Sequence, residues 1–145
     1  MAESREWDNS FEGINYSLCV YGDEASTDKR YRRMMIETLL RLPETVRRRV
    51  LDEVVFIVMG DVIGHHFNMV LREAQTLNLI SLNFHAMRRW SQVKIRQTIA
   101  HEIAHFILGH GGHGGLDAEK EADDLCELWG FGRVYNSYDQ FKRRT

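Results

Sequence analysis

The spacing of apolar residues changes several times along the chain, and each change predicts an element. After Thr27, the residues Met34, Met35, Ile36, Leu39, Leu40 and Leu42 recur at helical spacing, which predicts a helix capped by Thr27 or Asp28 and ending near Pro43. Pro43 followed by Glu44 suits the start of a second helix through Val46, Val50 and Leu51, because proline in a first turn gives up only an N–H that no helical carbonyl accepts. Val54, Val55, Phe56, Ile57, Val58 and Met59 are β-branched or bulky, and Gly60 bounds them, the pattern of a buried strand. Residues 67–72 and 77–84 supply two further strands, the second without clean alternation. Between Ser91 and Leu108 apolar residues stand all around the helical wheel (Val93, Ile95, Ile99, Ala100, Ile103, Ala104, Ile107, Leu108), so this helix is expected to be buried on most sides. Gly109, Gly111, Gly112, Gly114 and Gly115 then break the chain, and Asp117 is placed to cap a last helix reaching Leu128 or Trp129. The expected class is α+β, a small three-stranded sheet packed on the 91–108 helix and on the helix that follows it.

Composition limits how this material is divided. With 145 residues, 43% hydrophobic and 28% charged, the chain has room for one domain with a real core and hardly for two. The first thirty residues mix Gly, Ser, Asp, Glu and Asn with one apolar patch from Tyr16 to Tyr21, so a loosely held arm, residues 1–30, with a short strand is expected ahead of a domain over 31–145. A net charge of −2 gives no electrostatic reason to expect nucleic acid or an anionic membrane as partner, and the clusters Arg47, Arg48, Arg49 and Lys142, Arg143, Arg144 read as solvated surface. The longest apolar run, Val54 to Met59, is far below the roughly 18 residues of a membrane span, and the N-terminus carries no signal-peptide core. Cys19 and Cys126 lack CxxC spacing and are expected as reduced thiols, in keeping with a cytoplasmic protein.

Within the 91–108 helix lies His101, Glu102, Ile103, Ala104, His105, a HExxH sequence that arises by accident in roughly one chain of this length in a few hundred. Two helical histidines four residues apart are rotated by about 40° and displaced by about 6 Å, so both imidazoles project toward one point. Glu102 points about 100° away from His101, poorly placed as a ligand but able to touch a water held on a metal, as a general base does. Catalytic zinc takes three protein ligands and keeps one position open, so a third donor must come from elsewhere. The last helix offers Glu119, with Asp123 one turn later on the same face to hydrogen-bond a ligand histidine. His105 lies as far before the glycine break as Glu119 lies after it, so a helical hairpin brings them level, and small Ala122 lets the helices approach. The metzincin pattern HExxHxxGxxH is absent, since Leu108 and Gly111 stand where it needs glycine and histidine. His110 falls on the face opposite His101 and, like His65, His66 and His85, is expected to be structural. Glu121 is expected in solvent and Cys126 as a buried structural thiol, while loop residue His113 stays open as a ligand or substrate contact.

The segment HEIAHFILGH followed by EKEAD resembles the gluzincins, zinc peptidases whose third ligand is a glutamate on a following helix, and within them the minigluzincins and ImmA/IrrE-type peptidases. The likeness is strongest from Ile95 to Trp129 and extends loosely back to Leu42. The resemblance implies a minimal zincin-like metallopeptidase domain with Zn2+ on His101, His105 and Glu119, Glu102 as base and Asp123 behind a histidine. It also implies a peptide or protein substrate, which is expected to lie extended beside the strand at Leu79 to Phe84 and to pair with it as an added strand. The interval from His105 to Glu119 is shorter than in many gluzincins, and Tyr135, Tyr138 and His113 are the candidates for steadying the oxyanion. The competing expectation is a catalytically silent or latent zinc-binding regulatory protein, with the tail Tyr135 to Phe141 or the Cys19 arm covering the cleft.

Overall fold

The computed structural model describes residues 10–21, 29–58, 64–70, 76–110 and 115–135. Along these residues run α1 (Phe11–Ser17), β1 (Val20–Tyr21), α2 (Lys29–Arg41), α3 (Glu44–Glu53), β2 (Val54–Val58), β3 (Gly64–Val70), β4 (Thr76–Leu82), α4 (Gln92–Leu108) and α5 (Leu116–Leu128). The chain is a small α+β domain, as its periodicities predict. Pro43 sits immediately before α3 and its carbonyl accepts the Arg47 N–H, so the proline separates α2 from α3 where expected. The caps expected for α2 at Thr27 and Asp28 lie outside the described residues.

The sheet has the order β1-β2-β4-β3, with β1, β2 and β4 parallel and β3 antiparallel to β4. The three expected strands are present, and two-residue β1 adds a fourth where Val20 lies opposite Phe56. β3 starts at Gly64, earlier than its apolar residues suggest, because pairing with β4 extends from Val70 opposite Thr76 to Gly64 opposite Leu82. β4 lacks alternation for a physical reason. It is hydrogen-bonded on both edges, and Leu79, Ile80, Ser81 and Leu82 are all buried, so neither face requires polar residues. That arrangement corrects one expectation: the strand expected at Leu79 to Phe84 ends at Leu82, and up to that residue it has no open edge for an extended peptide, since β2 and β3 already pair with it.

Residues 10–21, expected within a loosely held arm, are built into the domain. The Ser10 side chain accepts the Gly13 N–H to start α1, and Ile14 is fully buried. Arg32 of α2 then donates to the Asn15 side chain, the Asn15 carbonyl and the Leu18 carbonyl, so one guanidinium satisfies three acceptors along α1 and its C-terminus.

α4 runs through the middle of the molecule. Ser91 caps it by accepting the Lys94 N–H, and every residue from Thr98 to Phe106 is buried, which is why its apolar positions occupy the whole wheel. α2, β3, β4 and α5 all pack on it. No helix among the described residues is long and apolar enough to cross a membrane.

Phe56, fully buried on β2, is expected to lose about 3–5 kcal/mol of unfolding free energy as Phe56→Ala, read by urea denaturation. Tyr16→Ala, at a side chain 93% exposed, is expected to stay within about 0.5 kcal/mol of the parent, and similar losses at both positions contradict this placement of the core.

Candidate metal centre

The helical spacing of His101 and His105 brings Nε2 of one ring 3.1 Å from Nε2 of the other. Glu119, in the first turn of α5, reaches across with Oε2 2.7 Å from His101 Nε2 and Oε1 3.5 Å from His105 Nε2. His101 meets Asp123 while His105 meets Glu119, so α4 and α5 run antiparallel, and fully buried Ala122 lies between the two acidic positions. Glu102 is buried beside them: one ligand atom each from His101, Glu102 and His105 fits within 4.8 Å. Donor atoms on a tetrahedral zinc stand about 3.3 Å apart, given bonds of about 2.0 Å. The three separations here bracket that value, so two imidazole nitrogens and one carboxylate have the spacing that a small divalent cation requires.

What holds the rings is a second layer of hydrogen bonds. Fully buried Asp123 lies 2.9 Å from His101 Nδ1 and also accepts the Val134 and Tyr135 N–H groups. The latter two arrive because α5 closes on Gly130, in left-handed backbone at φ 86°, with Phe131 N–H bonding back to the Cys126 carbonyl. The same turn drives Phe131 into the core and leaves the Tyr135 ring edge-on to His101 at 5.7 Å. On the other histidine, His105 Nδ1 lies 2.7 Å from His110 Nδ1, and His110 Nε2 lies 3.1 Å from Glu121.

All five residues singled out by the sequence, His101, Glu102, His105, Glu119 and Asp123, therefore come together. The expectations for His110 and Asp117 change. His110 was set on the face opposite His101 by running the helix straight on, but α4 stops at Leu108 and left-handed Gly109 folds the chain back, placing His110 against His105. The readable signal was a glycine directly before a histidine at the helix end. Glu121, although exposed, has His110 as partner. Asp117 is not the cap of α5; Gly115 precedes the helix and Asp117 lies in its first turn.

Cys126 is fully buried, and burial, with the charges of Asp123 and Glu102, raises its thiol well above the ordinary range, so it stays protonated as a structural thiol. His85 is in a loop beside Arg88. Cys19 lends its carbonyl to the Phe56 N–H and is not among the clustered metal-binding groups of the described residues. The side chains of His65 and His66, together with His113, Tyr138 and the tail to Phe141, lie outside the described residues.

Three lone-pair donors this close repel one another unless positive charge stands between them. In the metal-free protein a proton supplies it. Burial alone pulls the His101 imidazolium down, but hydrogen bonds to Asp123 and Glu119, with Glu102 nearby, outweigh it and carry the pKa up to about 9. Burial pushes Glu119 up, but the hydrogen bond from His101 and the closeness of the His105 ring prevail and bring it to about 2. For Glu102 burial wins over the attraction of His101 and holds the carboxyl up at about 7, helped by the charge of Glu119.

No protein-family model, curated protein or solved structure matches the chain.

These shifts fix a pH signature for the metal-free protein. Glu102, rising from 4.5 to about 7, and His101, rising from 6.5 to about 9, keep protons when folded that the unfolded chain has released. Stability therefore falls as pH rises from 4.5 toward 9. Glu119 works in the opposite sense: its contribution is present above 4.5 and is lost as pH falls toward 2. The groups facing His101 from both helices are Glu102, His105, Glu119 and Asp123. The melting temperature of chelator-treated protein is expected to fall over the alkaline part of that range. Zinc is expected to raise it increasingly with pH, because the cation replaces the protons. A melting temperature level from pH 6.5 to 9 without metal contradicts the protonated His101–Glu119 pair.

Proposed function

We propose that the chain is a zinc-dependent metallopeptidase of gluzincin type, similar to the minigluzincins and ImmA/IrrE-type peptidases, with His101, His105 and Glu119 as ligands and Glu102 as general base. The observation that supports it is the arrival of the Glu119 carboxylate, from a separate helix, 2.7 Å and 3.5 Å from the two imidazole nitrogens. Two neutral imidazoles and one carboxylate are the donor set of many catalytic zinc sites and leave a fourth position for water or substrate. Bound there, zinc supplies a Lewis acid for a substrate carbonyl and a water whose pKa falls toward about 7.

The protein's own groups account for the proton. Glu102 is not needed as a ligand and lies buried beside the two histidines, where its pKa of about 7 without metal lies within reach of neutral pH. With a cation held by His101, His105 and Glu119, Glu102 would stand ionised, a carboxylate able to take a proton from water and to return it to a departing amine. Asp123 keeps the His101 ring turned with Nδ1 away from the metal position. Among the described residues Tyr135, beside His101, is the candidate for the oxyanion. With β4 enclosed, an extended peptide pairs in this reading with the outer edge of β3, the strand that ends the sheet among the described residues and packs on α4.

Metal analysis and peptide cleavage separate this reading from its competitor. Wild-type protein is expected to bind one zinc and to cleave members of a peptide library, with His105→Ala losing the metal. Glu102→Gln is expected to keep the metal and lose about 100-fold or more in rate. Wild-type protein that holds zinc yet cleaves nothing replaces the enzyme with a zinc-holding regulatory protein, and Glu102→Gln at full rate removes Glu102 as base.

A further inference from the structure

We infer that His110 is a positioning residue that fixes the ring of His105, an inference that rests on the metal-centre reading above. Hydrogen-bond polarity leads to it. The Glu121 carboxylate has no proton to give, so in the His110–Glu121 contact of 3.1 Å the His110 Nε2–H donates. A neutral His110 then carries its lone pair on Nδ1, and that nitrogen stands 2.7 Å from His105 Nδ1, which must be the donor. His105 is left with its lone pair on Nε2, the nitrogen that faces His101 Nε2 and Glu119. Each ligand histidine thus has its outer nitrogen held by a partner: Asp123 behind His101 and His110 behind His105.

The backbone makes this contact repeatable. Gly109, at φ 72°, ends α4, and the N–H groups of Gly109 and His110 return to the carbonyls of Phe106 and His105. His110 is therefore bonded to His105 twice, once through the main chain and once ring to ring. Its side chain is only 14% exposed, whereas that of Glu121 is 59% exposed, which decides the weights of the two links. The inner contact, shielded from water, orients the ligand; the outer one is solvated and contributes little.

Zinc affinity, measured by competition with a chromophoric chelator, tests the inference without reference to turnover. His110→Phe, which keeps a planar ring and removes the acceptor, is expected to weaken zinc binding by about 10- to 100-fold. His110→Asn, whose Oδ1 takes the place of Nδ1, is expected to remain within about 3-fold of wild type, as is Glu121→Gln. Melting of the metal-free variants by circular dichroism checks that all are folded. Independently of any variant, long-range 1H–15N spectra of the zinc-loaded wild-type protein are expected to show His110 neutral and protonated on Nε2. Unchanged affinity in His110→Phe overturns the inference, as does His110→Asn binding as weakly as His110→Phe, or a His110 proton on Nδ1. Wild-type protein that fails to bind zinc overturns the metal-centre reading itself.

Discussion

Three electron-pair donors from two helices are held within about a hydrogen-bond length of one another, and much of the surrounding structure exists to make that crowding tolerable. Nε2 of His101, once its proton is gone, Nε2 of His105 and the carboxylate of Glu119 all present lone pairs toward one point inside a mostly buried region. Burial of such groups is unfavourable unless they are paired or share a cation, because water no longer screens their repulsion. The domain accommodates them by placing α4 at its centre and by giving the remaining ring nitrogen of each histidine a partner of its own. The lone pairs without such partners are then directed to a single position.

A common backbone device serves both histidines. Each helix of the pair ends on a glycine in left-handed backbone, Gly109 after α4 and Gly130 after α5, a region that side chains disfavour because Cβ crowds the neighbouring carbonyl. In both cases the turn reverses the chain onto the helix it has just left. After Gly109 the returning residue is His110, which meets His105; after Gly130 the returning N–H groups are those of Val134 and Tyr135, which meet Asp123 and through it His101. Gln97 ties the second turn to α4 by donating to the Phe131 carbonyl at 2.7 Å. Helix termination and orientation of the rings are thus the same structural event.

Much of this was readable from residues alone, and the parts that were not have physical reasons. The proline between α2 and α3, the apolar run of β2, the all-round apolar wheel of α4 and the pairing of His101 and His105 with Glu119 and Asp123 follow from local periodicity and helical geometry. β4 was harder to place because alternation marks a strand with one wet face, and Leu79 to Leu82 of β4 are buried on both faces. Its position between β2 and β3 is a property of long-range pairing, invisible to a window of a few residues, and so was the lack of an open edge there. α1 escaped notice because a seven-residue helix with one fully buried side chain, Ile14, leaves almost no periodic signal. His110 was misplaced by one angle: extrapolating a helix one residue past a left-handed glycine rotates the next side chain to the wrong side.

The closing turn at Gly109 and the short hairpin beyond it have a further effect on the chain as a polymer. His105 and His110 are five residues apart, His101 and Glu119 eighteen, His101 and Asp123 twenty-two. The entropy lost in joining two points of a flexible chain grows only with the logarithm of the span between them, so all the polar contacts of the centre are made across modest loops. By contrast β1 must find Phe56 from Val20, across α2 and α3. The polar contacts between α4 and Tyr135 are consequently closed over shorter spans than the pairing of β1 with β2, with a smaller search separating an extended chain from its assembled centre.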